Sequence, residues 1–476
     1  MLDLSAIKKM RINLTDYQWE EDCNMRLLLA SLDVIDVEVM EEILFSPLEV
    51  PLSELMETLE YSKEILENSI KKLSLSGLCS LAQDKLTIDK KVRRWFDLHS
   101  IRFHENFYPN LEFFQKMLHF LPMSVLPLWY NIPRTSNNIF LSILEKHIFT
   151  PSSLKKHLED IATLSPHTEM IITKVFAAPD YSYPVALLSK ELELSEKDLE
   201  ELILFLEYSL ILGKKFIQRD KTWEAILVPY CEYAEYYRFL DSTALKPIQD
   251  SSHVEVKRQG DFVFINDLSH LIRLVDNTPF SLNLNKETIP LGSAKTLAIK
   301  MAVFSPDEIS DDRFIQSYIS DLIAVGLGLR FFDSEKGKIQ TLPIALQWNE
   351  QNTEDKAIYI YQSYPSSFMP TQLRNITTEK QLHEIEKFFN RLPSKGWVFF
   401  DAVVKSSAIA FDDSQITQLK AEGKKWHYAL PHYSQEQLSL LKYVILHWFF
   451  ICGITKVGLV NDKEVFCLTP FGLKLF

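Results

Sequence analysis

The densest run of side chains able to do chemistry lies early in the chain: Lys63, Lys71, Lys72, Lys85, Lys90, Lys91, Arg93 and Arg94, with Arg102 close behind. Cationic groups gathered on one helix and the hairpin after it can neutralise several phosphates, which makes this run the candidate DNA contact. A solvated helix face uses the same residues, and that plainer reading stands beside it. Candidates for catalysis are thinner. The pairs Asp311-Asp312 and Asp412-Asp413 fall at expected helix starts or loops, where a carboxylate complements the helix dipole. His432 and His447 lie before and within an apolar stretch and read as core histidines, so no metal is expected. No nucleophile elbow, H-E-x-x-H, EF-hand loop or deaminase signature occurs. Glycine is scarce, at 12 of 476 residues against a usual share of about 7%, which starves the Gly-rich loops that cradle phosphates. Neither a G-x-G-x-x-G nor a P-loop is present. The chain is therefore expected to be no enzyme, with no cofactor and no small-molecule substrate.

A net charge of −13 opposes nonspecific nucleic-acid binding over the whole surface while leaving room for a local basic patch. The cysteines Cys23, Cys79, Cys231, Cys452 and Cys467 are odd in number and scattered, without C-x-x-C or zinc spacing, and read as reduced, mostly buried thiols. The first 22 residues contain no apolar signal core. The most apolar run, 438–460, is interrupted by Lys442, His447 and Lys456, so a buried helix is expected rather than a membrane span. A cytoplasmic, nucleoid-compatible location follows from these readings.

The elements that must position the basic run are repeated. Residues 51–76, "PLSELMETLEYSKEILENSIKKLSLS", align with 184–209, "PVALLSKELELSEKDLEELILFLEYS", at a constant offset of 133. Pro51/Pro184, Leu55/Leu188, Glu60/Glu193, Ser62/Ser195, Leu66/Leu199, Ile70/Ile203 and Leu73/Leu206 are among the coincident pairs. In each copy a proline opens a short helix and a serine caps the next, with Asp198 completing an approximate capping box in the second. A hairpin follows, around Asp84-Lys85 and around Asp220-Lys221, and another helix lies upstream of each copy, at 37–46 and 167–178. Helix, helix, helix, hairpin is the order of a winged-helix domain. Residues 311–348, with a turn at Ser334-Glu335-Lys336-Gly337, and 434–470, with a turn at Asn461-Asp462-Lys463, vary the theme. In the latter, 457–460 and 465–468 are the expected wing strands, and Phe471, Leu473 and Phe476 are expected to fold back onto helix 438–454.

Residues 103–163 read as short helices broken by Pro122, Pro127 and Pro133. Residues 254–265 read as a hairpin turning at Gln259-Gly260, and 350–355 and 412–425 as polar loops. The fold class expected is mainly α (α+β), with tandem winged-helix units bearing small β wings. Its boundaries are unit 1 at 1–100, a helical connector at 101–163, unit 2 at 164–250, a β-hairpin plus unit 3 at 251–375, and unit 4 at 376–476. The second unit's helix, "SEKDLEELILFLEYS", is acidic and expected to repel phosphate, and the fourth is too apolar to face water.

Over residues 267–476 the pattern becomes familiar. "RLPSKGWVFFDAVVKSS" at 391–407 precedes the apolar "LLKYVILHWFFICGITKVGLV" and the closing "VFCLTPFGLKLF". Before them, "DLSHLIRLVDNTPFSLNLNKETIPLGSAKTLA" places a helix, a short strand, a polar turn and a second helix. This succession resembles bacterial proteins bearing the C-terminal segment associated with XPB-type DNA helicases, and distantly the winged-helix subunit that supports XPB in TFIIH. The chain departs from that pattern in the polar insertion "FDDSQITQLKAEGKKWHYALPHYSQEQ", and it holds no helicase motif. The resemblance implies a non-catalytic accessory protein that binds and positions an XPB-type helicase or other DNA translocase. The alternative is a DNA-binding transcriptional regulator acting through the basic first unit.

Overall fold

Capping chemistry sets where the helices begin. The structure, a computed structural model, describes residues 19–476 apart from 123–125, 134–136, 282–288, 336–337, 364–368, 371–372, 374–377 and 412–414. After α1 (Trp19–Ser31), Asp33 opens α2 (Val34–Phe45) through a reciprocal capping box with Asp36. Strand β1 (Glu49–Pro51), α3 (Leu52–Leu59) and α4 (Lys63–Ser74) follow, then β2 (Cys79–Ala82) and β3 (Lys85–Ile88). Glu60, in the left-handed region at φ 57°, stops α3, and the Ser62 side chain accepts the Ile65 amide to start α4. The three strands pair antiparallel in the order β1-β3-β2, with Val50 opposite Leu86. Leu55, Leu66, Ile70 and Leu73, spaced for one helical face each, bury with Met40 and Ile43 of α2.

After α5 (Lys90–Ser100), the connector forms α6 (Leu111–Leu118), α7 (Leu126–Trp129), α8 (Ile139–His147) and α9 (Pro151–Ala162). The first order of elements then returns. It comprises α10 (Pro166–Ala177), β4 (Tyr183–Pro184), α11 (Val185–Leu192), α12 (Glu196–Tyr208), β5 (Leu212–Arg219) and β6 (Thr222–Pro229), paired β4-β6-β5. Glu193 repeats the left-handed stop at φ 52°, and Ser195 repeats the cap, so the 133-residue offset holds in backbone conformation. The Ser195 oxygen accepts the Asp198 amide at 3.1 Å while its hydroxyl donates to the Asp198 carboxylate at 2.7 Å, half of the expected capping box.

Helix α13 (Cys231–Ser242) and β7 (Glu255–Val256) lead to two further passes of the same order. The third runs α14 (Val263–Asn277), β8 (Phe280–Ser281), α15 (Leu291–Met301), α16 (Pro306–Ser310), α17 (Asp312–Gly328), β9 (Phe332–Glu335) and β10 (Lys338–Thr341), paired β8-β10-β9. Asp311 caps α17, as its sequence position suggests, and Ala302 supplies the left-handed stop. Helices α18 (Pro343–Asn349) and α19 (Thr353–Gln362) precede the fourth pass. This has α20 (Glu379–Phe389), β11 (Val398–Phe399), α21 (Phe400–Ser406), the inserted β12 (Gln418–Glu422) and β13 (Lys425–Ala429), and α22 (Gln435–Tyr443). Helix α22 continues through a π-turn, Val444–Trp448, and Phe449–Ile451, before β14 (Thr455–Val460), β15 (Lys463–Leu468) and α23 (Pro470–Leu475). Its sheet is β11-β15-β14-β7. In every pass the joint from last helix to hairpin is left-handed, at Gly77, Leu210, Arg330 and Gly453. The molecule is mainly helical with small antiparallel sheets, and among the described residues no helix is long and apolar enough to cross a membrane.

The chain divides into two compact units, Met1–Phe239 with Thr417–Ala429, and Leu240–Ile416 with Leu430–Phe476. Four sequence expectations change. Residues 254–265 form no hairpin: Glu255 and Val256 join the edge of β14, and the chain turns helical from Val263 because Phe264, Leu268, Leu271, Ile272 and Val275 share one buried face. Of the expected loop at 412–425, residues 412–414, including Asp412-Asp413, lie outside the described residues, and 418–425 build most of β12–β13. The expected loop at 350–355 is short, since the Asn352 side chain caps α19 at Thr353. Part of the turn at Ser334-Glu335-Lys336-Gly337 also falls outside the described residues. At the end of the chain Phe471 is buried, Phe476 packs tilted against Phe389 and Phe449, and Leu473 is exposed, contrary to expectation, because it points off the opposite side of the short α23. All five cysteines are free, and burial pushes the Cys23 thiol up to about 12, far from nucleophilic.

Candidate nucleic-acid interface

The eight basic residues sit on α4, the β2–β3 hairpin and the start of α5, but they are not equally available. Lys63 binds Asp84 at 2.7 Å, closing the hairpin tip onto the first turn of α4. Lys72 binds Asp36 at 2.6 Å and Asp33 at 3.5 Å, tying the end of α4 to the cap of α2. Lys85 pairs with Glu49 on the adjacent strand. Arg93 donates to the carbonyls of Ser46 and Leu44 behind α2. Lys71, Lys90, Lys91 and Arg94 are exposed, and among the described residues none of them has an ion-pair partner. Three of these four share the first turns of α5, where the Asp89 carboxylate accepts the Lys91 and Val92 amides.

Arg102, which the sequence adds to this basic density, is buried and faces inward. Its Nη2 donates to Glu207 Oε2 at 2.9 Å, Nη1 donates to the Lys214 carbonyl at 2.8 Å, and Nε donates to His99 Nδ1 at 2.9 Å. Arg26 reaches Glu207 from α1 and also binds Asp22 at 3.0 Å, which accepts from Trp95 Nε1 at 3.2 Å. Lys214 closes the set through Glu200. Three carboxylates thus face three cations, and the cluster joins α1, α5, α12 and β5. Burial alone would push the Glu207 carboxyl up; Arg102 and Arg26 reverse that and hold it well below the usual carboxylate range. Burial, then Arg102, pushes His99 well below the ordinary histidine value, in keeping with Nδ1 accepting from the guanidinium.

This cluster corrects the reading of α12 as a phosphate-repelling acidic face. Residues Leu199, Glu200 and Leu202 through Tyr208 are all buried. The missed signal was an acid, Glu207, set inside the apolar run "LILFLEYSLIL", where it requires a buried cationic partner. The β5–β6 hairpin is also engaged: its tip bridges Asp33 to Thr222, and Phe216 stacks on Phe103 at 4.3 Å within the first repeat's core. The equivalent helices in the other repeats bury Ile315, Ile319, Leu322 and Ile323 on α17, and Val444, Ile445, Trp448 and Phe449 around the π-turn. His432 is exposed, and His447 stands half-buried 3.8 Å from Asp321. Among the described residues no cluster of three or more His, Cys, Asp or Glu could hold a metal ion.

No family model, no curated protein and no solved structure matches this chain.

Proposed function

We propose that this chain is a non-catalytic scaffold of four tandem winged-helix units that binds and positions a DNA helicase, translocase or related DNA-processing machine through protein contacts. The repeated helix, strand, helix, helix, hairpin order supports the winged-helix reading, as does pairing of the early strand with the second hairpin strand. The observation that carries the function is the state of the helix a DNA reader would lay in the major groove. In the second, third and fourth units that helix is packed into core, and in the first two of its three lysines are spent on Asp84 and Asp36. The resemblance over 267–476 supplies the class of partner, an XPB-type helicase or other translocase, in the cytoplasm or at the nucleoid.

A second reading, a DNA-binding regulator, is favoured by Lys71, Lys90, Lys91 and Arg94, which are exposed and have no ion-pair partner among the described residues. Duplex DNA binding by the full chain, measured against salt, separates the two. The full chain is required because Arg26 and Arg102 depend on Glu207. The scaffold predicts no binding at low salt, and capture from the native host of a helicase, polymerase or repair factor. Salt-dependent binding that K71E/K90E/K91E/R94E abolishes would overturn it in favour of the regulator.

A further inference from the structure

The joint between the last two helices before each hairpin is longest in the fourth pass. Between α3 and α4 only residues 60–62 intervene, and between α11 and α12 only 193–195, whereas 407–434 separate α21 from α22. Most of this insertion is the β12–β13 hairpin, paired from Gln418↔Ala429 to Glu422↔Lys425. Its flanking residues Ile416 and Leu430 belong to the second compact unit, but Thr417–Ala429 belongs to the first. Hydrogen bonds and aromatic contacts anchor the hairpin there. The Leu419 amide donates to the Phe149 carbonyl at 2.8 Å, and the Tyr428 hydroxyl donates to the Ile148 carbonyl at 2.6 Å. Both acceptors lie in the link between α8 and α9, outside any helical ladder. Tyr428 packs on Tyr236 at 5.1 Å, and Trp426 meets Phe140 edge-on at 6.0 Å. Leu419 and Tyr428 are 2% and 7% exposed and complete the core formed by α6 to α12. Beside the hairpin tip an open cleft of about 390 Å³ runs along α6 and α8, past Lys116, His119 and Leu141.

A two-stranded hairpin is marginally stable on its own, so this one owes its shape to its seat. The seat in turn offers two main-chain acceptors and an aromatic wall, features that recognise an extended aromatic segment whichever chain supplies it. Linkage within one chain gives the hairpin a high effective concentration, yet leaves each anchor individually replaceable.

We propose that the β12–β13 hairpin is a self-docked ligand: it fills a protein-binding seat on the first unit, and a partner segment presenting a leucine amide and a tyrosine hydroxyl in the same register displaces it. This rests on the protein-contact reading above. In that state the chain is autoinhibited, and exchange of hairpin for partner is the step that admits the partner.

The test uses the full chain with 417–429 replaced by a Gly-Ser segment of equal length, and a fluorescent synthetic peptide of residues 415–431 as probe. The replaced chain should bind the peptide, the native chain should bind it at least about tenfold more weakly, and a Tyr428→Phe peptide should lose about 2- to 10-fold for its missing hydrogen bond. A replaced chain that keeps native protection of the β5–β6 ladder but does not bind the peptide overturns the proposal, as does equal binding by both chains. Should the replacement disturb folding, Leu419→Asp in the otherwise intact chain serves in its place. Native hydrogen exchange adds an independent reading: β12–β13 amides should exchange faster than β5–β6, and equal rates would exclude a detachable hairpin. The peptide reads the seat without DNA or partner, so its failure leaves the scaffold reading standing, and a failed partner capture leaves the seat standing.

Discussion

Glu207 holds the buried ionic cluster of the first unit together. It sits fully buried between Arg26 and Arg102 and also accepts the Lys214 amide at 3.0 Å. Removing its charge would leave the Arg26 and Arg102 guanidinium groups in a dry interior without the carboxylate that both of them bind. Breaking a buried pair in this way costs about 3–5 kcal/mol. Glu207→Gln is therefore expected to lower the unfolding free energy of the first unit, read from urea melts, by that amount, while Lys63→Gln, which breaks an exposed pair with Asp84, should leave it nearly unchanged. Comparable effects from the two variants would refute the central place given to the cluster. The site was half legible at this scale. Eight basic residues were visible from their types alone, but which of them face solvent depended on acids distant in sequence, such as Asp84 for Lys63 and Asp33 and Asp36 for Lys72, that only the folded backbone brings near. Arg102 carried the same chemical signature as Arg94 and went inward, because its acid lies 105 residues along the chain.

At the scale of elements, the packing of α8, α9 and α13 places titratable groups of opposite effect in one core. The His147 and His157 rings lie 4.5 Å apart and tilted, and each donates Nε2–H to a carbonyl, of Tyr130 at 3.0 Å and of Ser209 at 2.6 Å. Burial, against the backbone bond to Ser209, pushes His157 down from 6.5 to about 4. The unfolded chain then binds the extra proton, so this stability is complete above pH 6.5 and is lost as pH falls through about 4. Glu232, whose Oε1 accepts the Leu111 amide at 2.9 Å, is pushed up from 4.5 to about 7 by burial. Here the folded chain holds the proton, so its contribution is complete below pH 4.5 and is lost as pH rises through about 7. The two slopes oppose each other between about pH 4.5 and 6.5. His157→Gln should make the urea midpoint fall more steeply with rising pH than in the native chain, and Glu232→Gln should make it rise more steeply; identical slopes in all three would sink the assignment. Elements themselves were the most legible part of the sequence. The 133-residue offset found both helix-turn-helix pairs because caps and left-handed stops are local choices, made by Ser62, Ser195, Glu60 and Glu193. The β12–β13 hairpin was read as loop because its strands "QLKAE" and "KWHYA" are largely polar, and their few apolar residues find their partners on α6, α8 and α13.

For the whole molecule, the division into two compact units makes a claim about cooperativity. Every member of the ionic cluster lies in Met1–Phe239, whereas the end of the chain is fixed wholly within the second unit. There the Thr469 hydroxyl donates to the Gly453 carbonyl at 2.6 Å, Phe471 packs on Phe262 at 5.3 Å, and Phe476 lies 5.3 Å from Phe389. Deleting residues 471–476 uncovers that apolar surface at about 2–3 kcal/mol for Phe471 alone, with less from the half-exposed Phe476. Hydrogen exchange followed separately in 199–229 and in 440–468 should then show two independent responses. Glu207→Gln should speed exchange in the first segment and leave the second unchanged, and the deletion should do the reverse. If either variant accelerates both segments equally, the chain unfolds as one block, and the two units are a geometric division without an energetic one. Separate responses would mean that a partner gripping one unit can remodel it without melting the other, which is the property a positioning scaffold needs.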